Sequence, residues 1–159
     1  MTPEEQRTLA RLLGASRWAA LATSRDDEPF ASWVAVAPEP DLARFLLHLS
    51  RLARHTRYLA VNPRAALAFT EPDSDPGRDP QTLARVTVQG TVAIVPRGSA
   101  EYAAERERYL ARLPHAERTF ALGDFELHRF VAESARYVPG FGRVHRLMPD
   151  DLRALARED

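Results

Sequence analysis

The chain has 159 residues with 22 basic and 22 acidic side chains, which makes one domain with a full hydrophobic core and argues against a general nucleic-acid binder. It has no cysteine, and every basic residue is arginine, so disulfides, thiolate metal sites, cysteine nucleophiles and lysine Schiff bases are excluded. No apolar run approaches the ~20 residues of a membrane span, and Met1 to Arg11 lacks the apolar centre of a secretory signal. A cytoplasmic protein of one domain, residues 1–159, with no membrane partner, is expected.

Thr2-Pro3-Glu4-Glu5 reads as a capped helix start, Leu9, Leu12 and Leu13 as its apolar stripe, and Gly14 as its end. Strands are predicted at Trp18 to Thr23, Phe30 to Ala37 and Arg44 to Leu49, joined by polar or proline-containing turns as an antiparallel meander. Ser50 then reads as the cap of a helix over Arg51 to Val61, stopped by Asn62-Pro63. Ala65 to Thr70 is a fourth strand. Glu71 to Gln81, with three prolines and four acids, reads as a mobile loop. Leu83 to Val95 alternates as a long strand in which Gly90 marks a bulge or bend. A charged helix over Ser99 to Leu113 and a short one over Ala116 to Leu122 follow. Further strands are expected at Phe125 to Val131 and Arg136 to Val138, then a tight Pro139–Gly142 loop and a last helix opened by Pro149. The count and order predict an antiparallel barrel with helices packed outside.

Two segments carry candidate chemistry. The first is the strand end and helix start around Ser50, where Arg51, Arg54, His55 and Thr56 gather hydroxyls and cations. Basic residues at a helix N-terminus oppose its macrodipole, and an anionic ligand such as a phosphate would compensate them. The second is Gly140-Phe141-Gly142-Arg143-Val144-His145, where Arg143 and His145 share one strand face beside glycines that admit a flat ligand. By itself the second segment reads better as a turn followed by a polar edge strand. The five histidines show no metal-ligand spacing, and nucleophile-elbow and glycine-rich phosphate motifs are absent.

The run LARHTRYLAVNPRAALAF from Leu52, with RVTVQGTV from Arg85 and ARYVPGFGRVHRL from Ala135, resembles the pyridoxamine 5'-phosphate oxidase-like, FMN-binding split-barrel proteins. The resemblance extends from the first strand to about Leu147 and is closest to the HugZ-like, haem-utilisation branch. It implies a β-rich α+β fold, a six-stranded antiparallel split β-barrel with packed helices. It also implies a homodimer with FMN in each of two interface clefts. The family's phosphate-binding Ser-Arg-Lys run falls on Ala53-Arg54-His55, with Ser50 and Thr56 adding hydroxyls. Ser32, Trp33 and Val34 would pass along the flavin, Arg85 and Gln89 would reach it from the partner chain, and Arg143 and His145 would match a substrate-contacting Arg-x-His pair.

The same comparison shows departures. The oxidase's second-strand arginine and lysine fall within Ala31 to Val36, its substrate-phosphate arginine near Leu113, and the arginine after its Arg-x-His pair on Leu147. These losses argue against pyridoxal phosphate synthesis. Longer HugZ-like proteins carry a further C-terminal domain, which this chain is expected to lack. The resemblance leads first to an FMN-dependent oxidoreductase acting on an unidentified small molecule. The alternatives are a haem-binding or haem-degrading protein with His145 or a nearby loop residue as iron ligand, a non-catalytic dimeric flavin-binding protein, and F420 in place of FMN.

Overall fold

The computed structural model describes residues 1–157. Helix α1, Pro3–Gly14, starts as its sequence requires: the Thr2 hydroxyl accepts from the Glu5 amide at 3.2 Å, and the Glu5 carboxylate accepts from the Thr2 amide at 2.8 Å. Strands β1 (Trp18–Arg25) and β2 (Glu28–Ala35) form a hairpin whose two turn residues, Asp26 and Asp27, both have positive φ. That is the turn whose twist suits a two-residue hairpin, and aspartate tolerates it. Then come β3 (Ala37–Pro38), β4 (Arg44–Ser50), α2 (Arg54–Leu59), β5 (Arg64–Thr70), β6 (Arg85–Ile94), α3 (Tyr102–Arg112), α4 (Glu117–Phe120), β7 (Phe125–Val138), β8 (His145–Leu147) and α5 (Pro149–Leu155). No helix among the described residues is long and apolar enough to cross a membrane.

The strands make one curled antiparallel sheet in the order β2-β1-β5-β6-β7-β4-β3, with β8 paired to β7. Six strands of seven to fourteen residues carry it, and β3 and β8 add two and three residues. This is the split barrel the resemblance implied, with two short strands added. The expected meander is corrected. β2 and β4 are not paired; β4 bonds β3 on one side and β7 on the other. The reason is burial. Phe45 to Leu49 are all buried, alternating between two apolar layers, and such a strand needs cover on both faces.

Phe45, Leu47 and Leu49 face the concave side with Leu21, Leu67, Val88 and Phe130, in the main core closed by α1 and α5. Leu46 and Leu127 face the convex side, under Tyr109, Leu113 and Phe120 of the α3–α4 layer. His48 lies in that second layer, stacked on Phe120 at 3.7 Å. Thr119 gives its own proton to the Ala116 carbonyl, so His48 Nδ1 donates to the Thr119 hydroxyl at 3.0 Å and Nε2 stays bare and buried. Burial above all, with the nearby positive groups, pushes the His48 imidazole down to about 4.

Gly90 marks a bulge, as expected: the β6–β7 register shifts between Gln89 and Gly90, leaving Glu133 of β7 as the extra residue opposite, and a Cβ at Gly90 would lie 2.0 Å from the Val131 carbonyl oxygen. The bulge reverses the alternation of β7, so Tyr137 and Ala135 point inward above it and Phe130 and His128 point inward below it. Strand β7 is continuous where two pieces were expected, because pairing with β6 carries the weakly strand-forming Ala132 to Ala135 across the gap. The loop after β5 is tied down: the Glu71 carboxylate accepts from Arg78 at 3.1 Å and from the Ala84 amide at 3.0 Å.

Candidate cofactor site

Among the described residues, no helix lies over the convex face of β2, β1, β5 and β6. One cross-strand row on it reads Trp33, Ala20, Ala68, Thr87, Arg136, each residue paired to the next. The adjacent row reads Ala31, Ala22, Ala66, Gln89, Ser134. Alternation places both rows on one side of the sheet. The alanines make a flat floor between an aromatic wall and an arginine wall. Trp33 is 57% exposed and stacks on Trp18, 56% exposed, with planes 3° apart and centroids at 6.1 Å. Arg85 is held at the rim by bonds from Nη1 to the Gln81 and Leu83 carbonyls, at 3.0 and 3.1 Å, leaving the rest of the guanidinium free for a ligand. The trough encloses about 410 Å³ between Trp33, Ala20, Ala68, Arg85 and Arg136.

The segment after β4 is arranged differently from its sequence reading. Ser50 is the last residue of β4 and caps no helix. Its hydroxyl donates to Asp124 at 2.5 Å and accepts from the Leu52 amide at 3.1 Å. Residues 51–53 form a turn, and α2 starts at Arg54 with Ala53 as an N-cap that has no side-chain bond. The serine was claimed by a partner 74 residues away, which local spacing does not reveal.

Arg54 is also occupied. It pairs with Glu28, bonds the Tyr58 hydroxyl through Nε and Nη2 at 3.1 and 2.8 Å, and lies over the Phe30 and Tyr58 rings. Tyr58 donates to the other Glu28 oxygen at 2.6 Å. The Tyr58 and Arg54 hydrogen bonds hold the Glu28 carboxyl below its usual range, and the same contacts raise Arg54. The group staples α2 to the β1–β2 hairpin. His55 Nδ1 lies 3.0 Å from the Ser32 hydroxyl, and burial, with His128 nearby, lowers its pKa. Thr56 is buried, and its hydroxyl has no protein partner.

Ser50, Arg54 and Thr56 apart, the structure divides the sequence-predicted residues into three groups. Trp33 and Arg85 share the trough, with Gln89 on the same face. Ser32 and His55 meet on the opposite, concave side, where Val34 joins the core. Arg143 and His145 meet at the Glu5 carboxylate, 2.5 and 3.3 Å away, and His145 packs on Tyr137. His145 is paired to the inward-facing Tyr137, so it points to α1 and not to the trough. Missed from sequence were Arg136 and the alanine floor. The signal was there: alanine alternates at 20, 22 and at 66, 68, which leaves the middle of each strand, residues 19–22 and 65–69, without polar side chains.

A curled antiparallel sheet with packed helices, here with a flat, arginine-edged trough on its bare face, defines the split-barrel class. The sequence profile described as pyridoxamine 5'-phosphate oxidase matches residues 4–139, and the chain belongs to that family. It is 35% identical over 97 residues to the chloroplastic heme oxygenase HOZ of Arabidopsis thaliana, covering 60% of this chain and 27% of that protein. It is 28% identical over 112 residues to heme oxygenase HutZ of Vibrio cholerae, covering 68% of this chain and 61% of that one. Among solved structures, a heme binding protein from Mycobacterium smegmatis superposes with a TM-score of 0.82 at 28% identity, over 97% of this chain and 62% of the other. The chain thus spans less than two thirds of the length of each of these relatives.

Proposed function

We propose that the chain binds haem in the alanine-floored trough, and that haem, if degraded there, is substrate as well as ligand. The observation that carries this reading is the trough itself. It offers a flat floor of Ala20 and Ala68, the Trp33 ring at one side, and Thr87, Arg85 and Arg136 at the other. The residues fit a planar macrocycle with two carboxylates, because guanidinium groups grip carboxylates bidentately. Haem would supply redox-active iron; this chain's residues would orient the ring and exclude water from its face. The three haem-named relatives support the reading.

The residues fit a flavin nucleotide less well. Its ring suits the same floor, but the expected phosphate ligands are already bonded: Arg54 to Glu28, Ser50 to Asp124 and His55 to Ser32. An FMN-dependent oxidoreductase is the second reading, favoured by the family itself. In the flavin reading a homodimer completes the site. Arg85 faces the convex side and His55 the concave side, so one ligand reaches both only when a second copy covers the trough.

Absorbance titration decides between the two. Haemin added to the purified protein should give a saturable Soret band at one equivalent per chain, while FMN gives no saturable change. Saturable flavin bands without a Soret band would reverse the order of the readings.

A further inference from the structure

The open end of the barrel holds a second cleft, separate from the trough and from the Arg54 cluster. It encloses about 390 Å³ between α2 and the adjoining ends of β6 and β7. Leu59, Val92 and Ile94 make it apolar. Glu126 and His128, two apart on β7, are paired to Leu49 and Leu47 of the core and so share the concave side.

His128 is only 3% exposed. Its Nδ1 lies 2.9 Å from the Glu126 carbonyl, which can only accept, so Nδ1 carries the proton and Nε2 the lone pair. Burial keeps the ring neutral: it lowers the pKa more than the bond to the Glu126 carbonyl and the Glu126 charge raise it. Thr56, on the α2 wall, is 7% exposed, and its hydroxyl has no partner in the protein. Buried polar atoms without a partner are uncommon and call for one.

The walls differ in charge. β7 presents two acceptors, the His128 lone pair and the Glu126 carboxylate, whereas α2 brings the cation of Arg57. A complementary ligand carries an N–H or O–H donor at one end, an acid at the other and an apolar ring between. The volume lies at the low end for small-molecule pockets, and barrel mouths are a favoured place for them. A one- or two-ring molecule fits between these walls.

We propose that this cleft binds a small aromatic carboxylic acid bearing a ring N–H or O–H, with the ring donor on His128 and the acid toward Arg57. The site goes beyond the haem reading and is independent of it. Indole-3-acetate, titrated into cofactor-free protein and followed by nitrogen-15 NMR of the imidazoles, tests it. The expected result is saturable binding that shifts the His128 Nε2 resonance as its lone pair accepts a hydrogen bond. His128→Phe should weaken binding at least tenfold, and so should Ala60→Trp, which fills the mouth from an exposed position. Haemin should titrate equally with and without the probe. Absence of saturation, unchanged affinity in Ala60→Trp, or displacement of the probe by haemin would each overturn the site. Ala60→Trp decides alone where His128→Phe does not fold.

Discussion

The convex side of the sheet is treated in two ways. Over β4 and the lower part of β7 it is covered by α3 and α4, and every feature there is internal: Leu46 and Leu127 pack on Tyr109 and Phe120, and His48 bonds Thr119. Buried Glu105 takes Arg129, and buried Glu39 takes Arg108 and Arg44. Over β2, β1, β5 and β6 the same side is bare, with two stacked tryptophans, an alanine floor and two rim arginines. Apolar surface of that kind, rimmed by charge, marks a ligand or partner site. The contrast teaches that this protein builds its own cover over one half of the sheet and leaves the other half, where the ligand is proposed, open.

The largest expected effect breaks the bare half alone. Ala68→Trp raises a bulky ring from the floor, and haemin affinity should fall on the order of a hundredfold or more while the melting temperature changes little. An unchanged Soret titration would remove haem from the trough. Gly90→Ala tests the bulge that lets one sheet serve both halves. Its Cβ would meet the Val131 backbone, and unfolding in urea should show a loss of about 3 kcal/mol or more.

Acid should act on the covered half. His48 titrates near 6.5 in the unfolded chain and at about 4 in the folded one, so the unfolded state binds the proton first. Stability present above pH 6.5 should therefore decline as pH falls toward 4, by a few kcal/mol at most, and His48→Phe should flatten that slope. His55 and His128 are lowered too, so they add in the same direction.

Arg85→Ala removes one charged hydrogen-bond donor from the rim, and haemin affinity should drop roughly tenfold. The smallest effect is expected at the Arg54 staple. Arg54→Ala should leave haemin affinity unchanged and lower the melting temperature through the loss of Glu28 and Tyr58 contacts. A selective loss of FMN affinity in that variant would restore the phosphate role and with it the flavin reading. His145→Ala separates the same alternatives. Paired with Glu5, it should lower the melting temperature and spare the Soret band; a lost band would make it the iron ligand.

Much of the fold was legible because its signals are local. The Thr2–Glu5 box, the Asp26-Asp27 turn, the Gly90 bulge and the Asn62-Pro63 stop each depend on a few neighbouring residues. The trough was half legible. Trp33, Arg85 and Gln89 were named, while Arg136 and the alanines emerged only when four strands were laid side by side.

What the amino-acid sequence determined by itself was the set of elements, the barrel class, the family and the absence of thiol and lysine chemistry. Those follow from composition, periodicity and motif, all short-range properties. The tertiary structure decided which polar side chains remain free. Ser50 found Asp124, Arg54 found Glu28 and Arg143 found Glu5, each across a distance in sequence that no spacing rule covers. A charged group serves a ligand only through the donors or acceptors that internal partners leave free. Internal partners are set by strand register and helix packing, so the site became readable only in three dimensions.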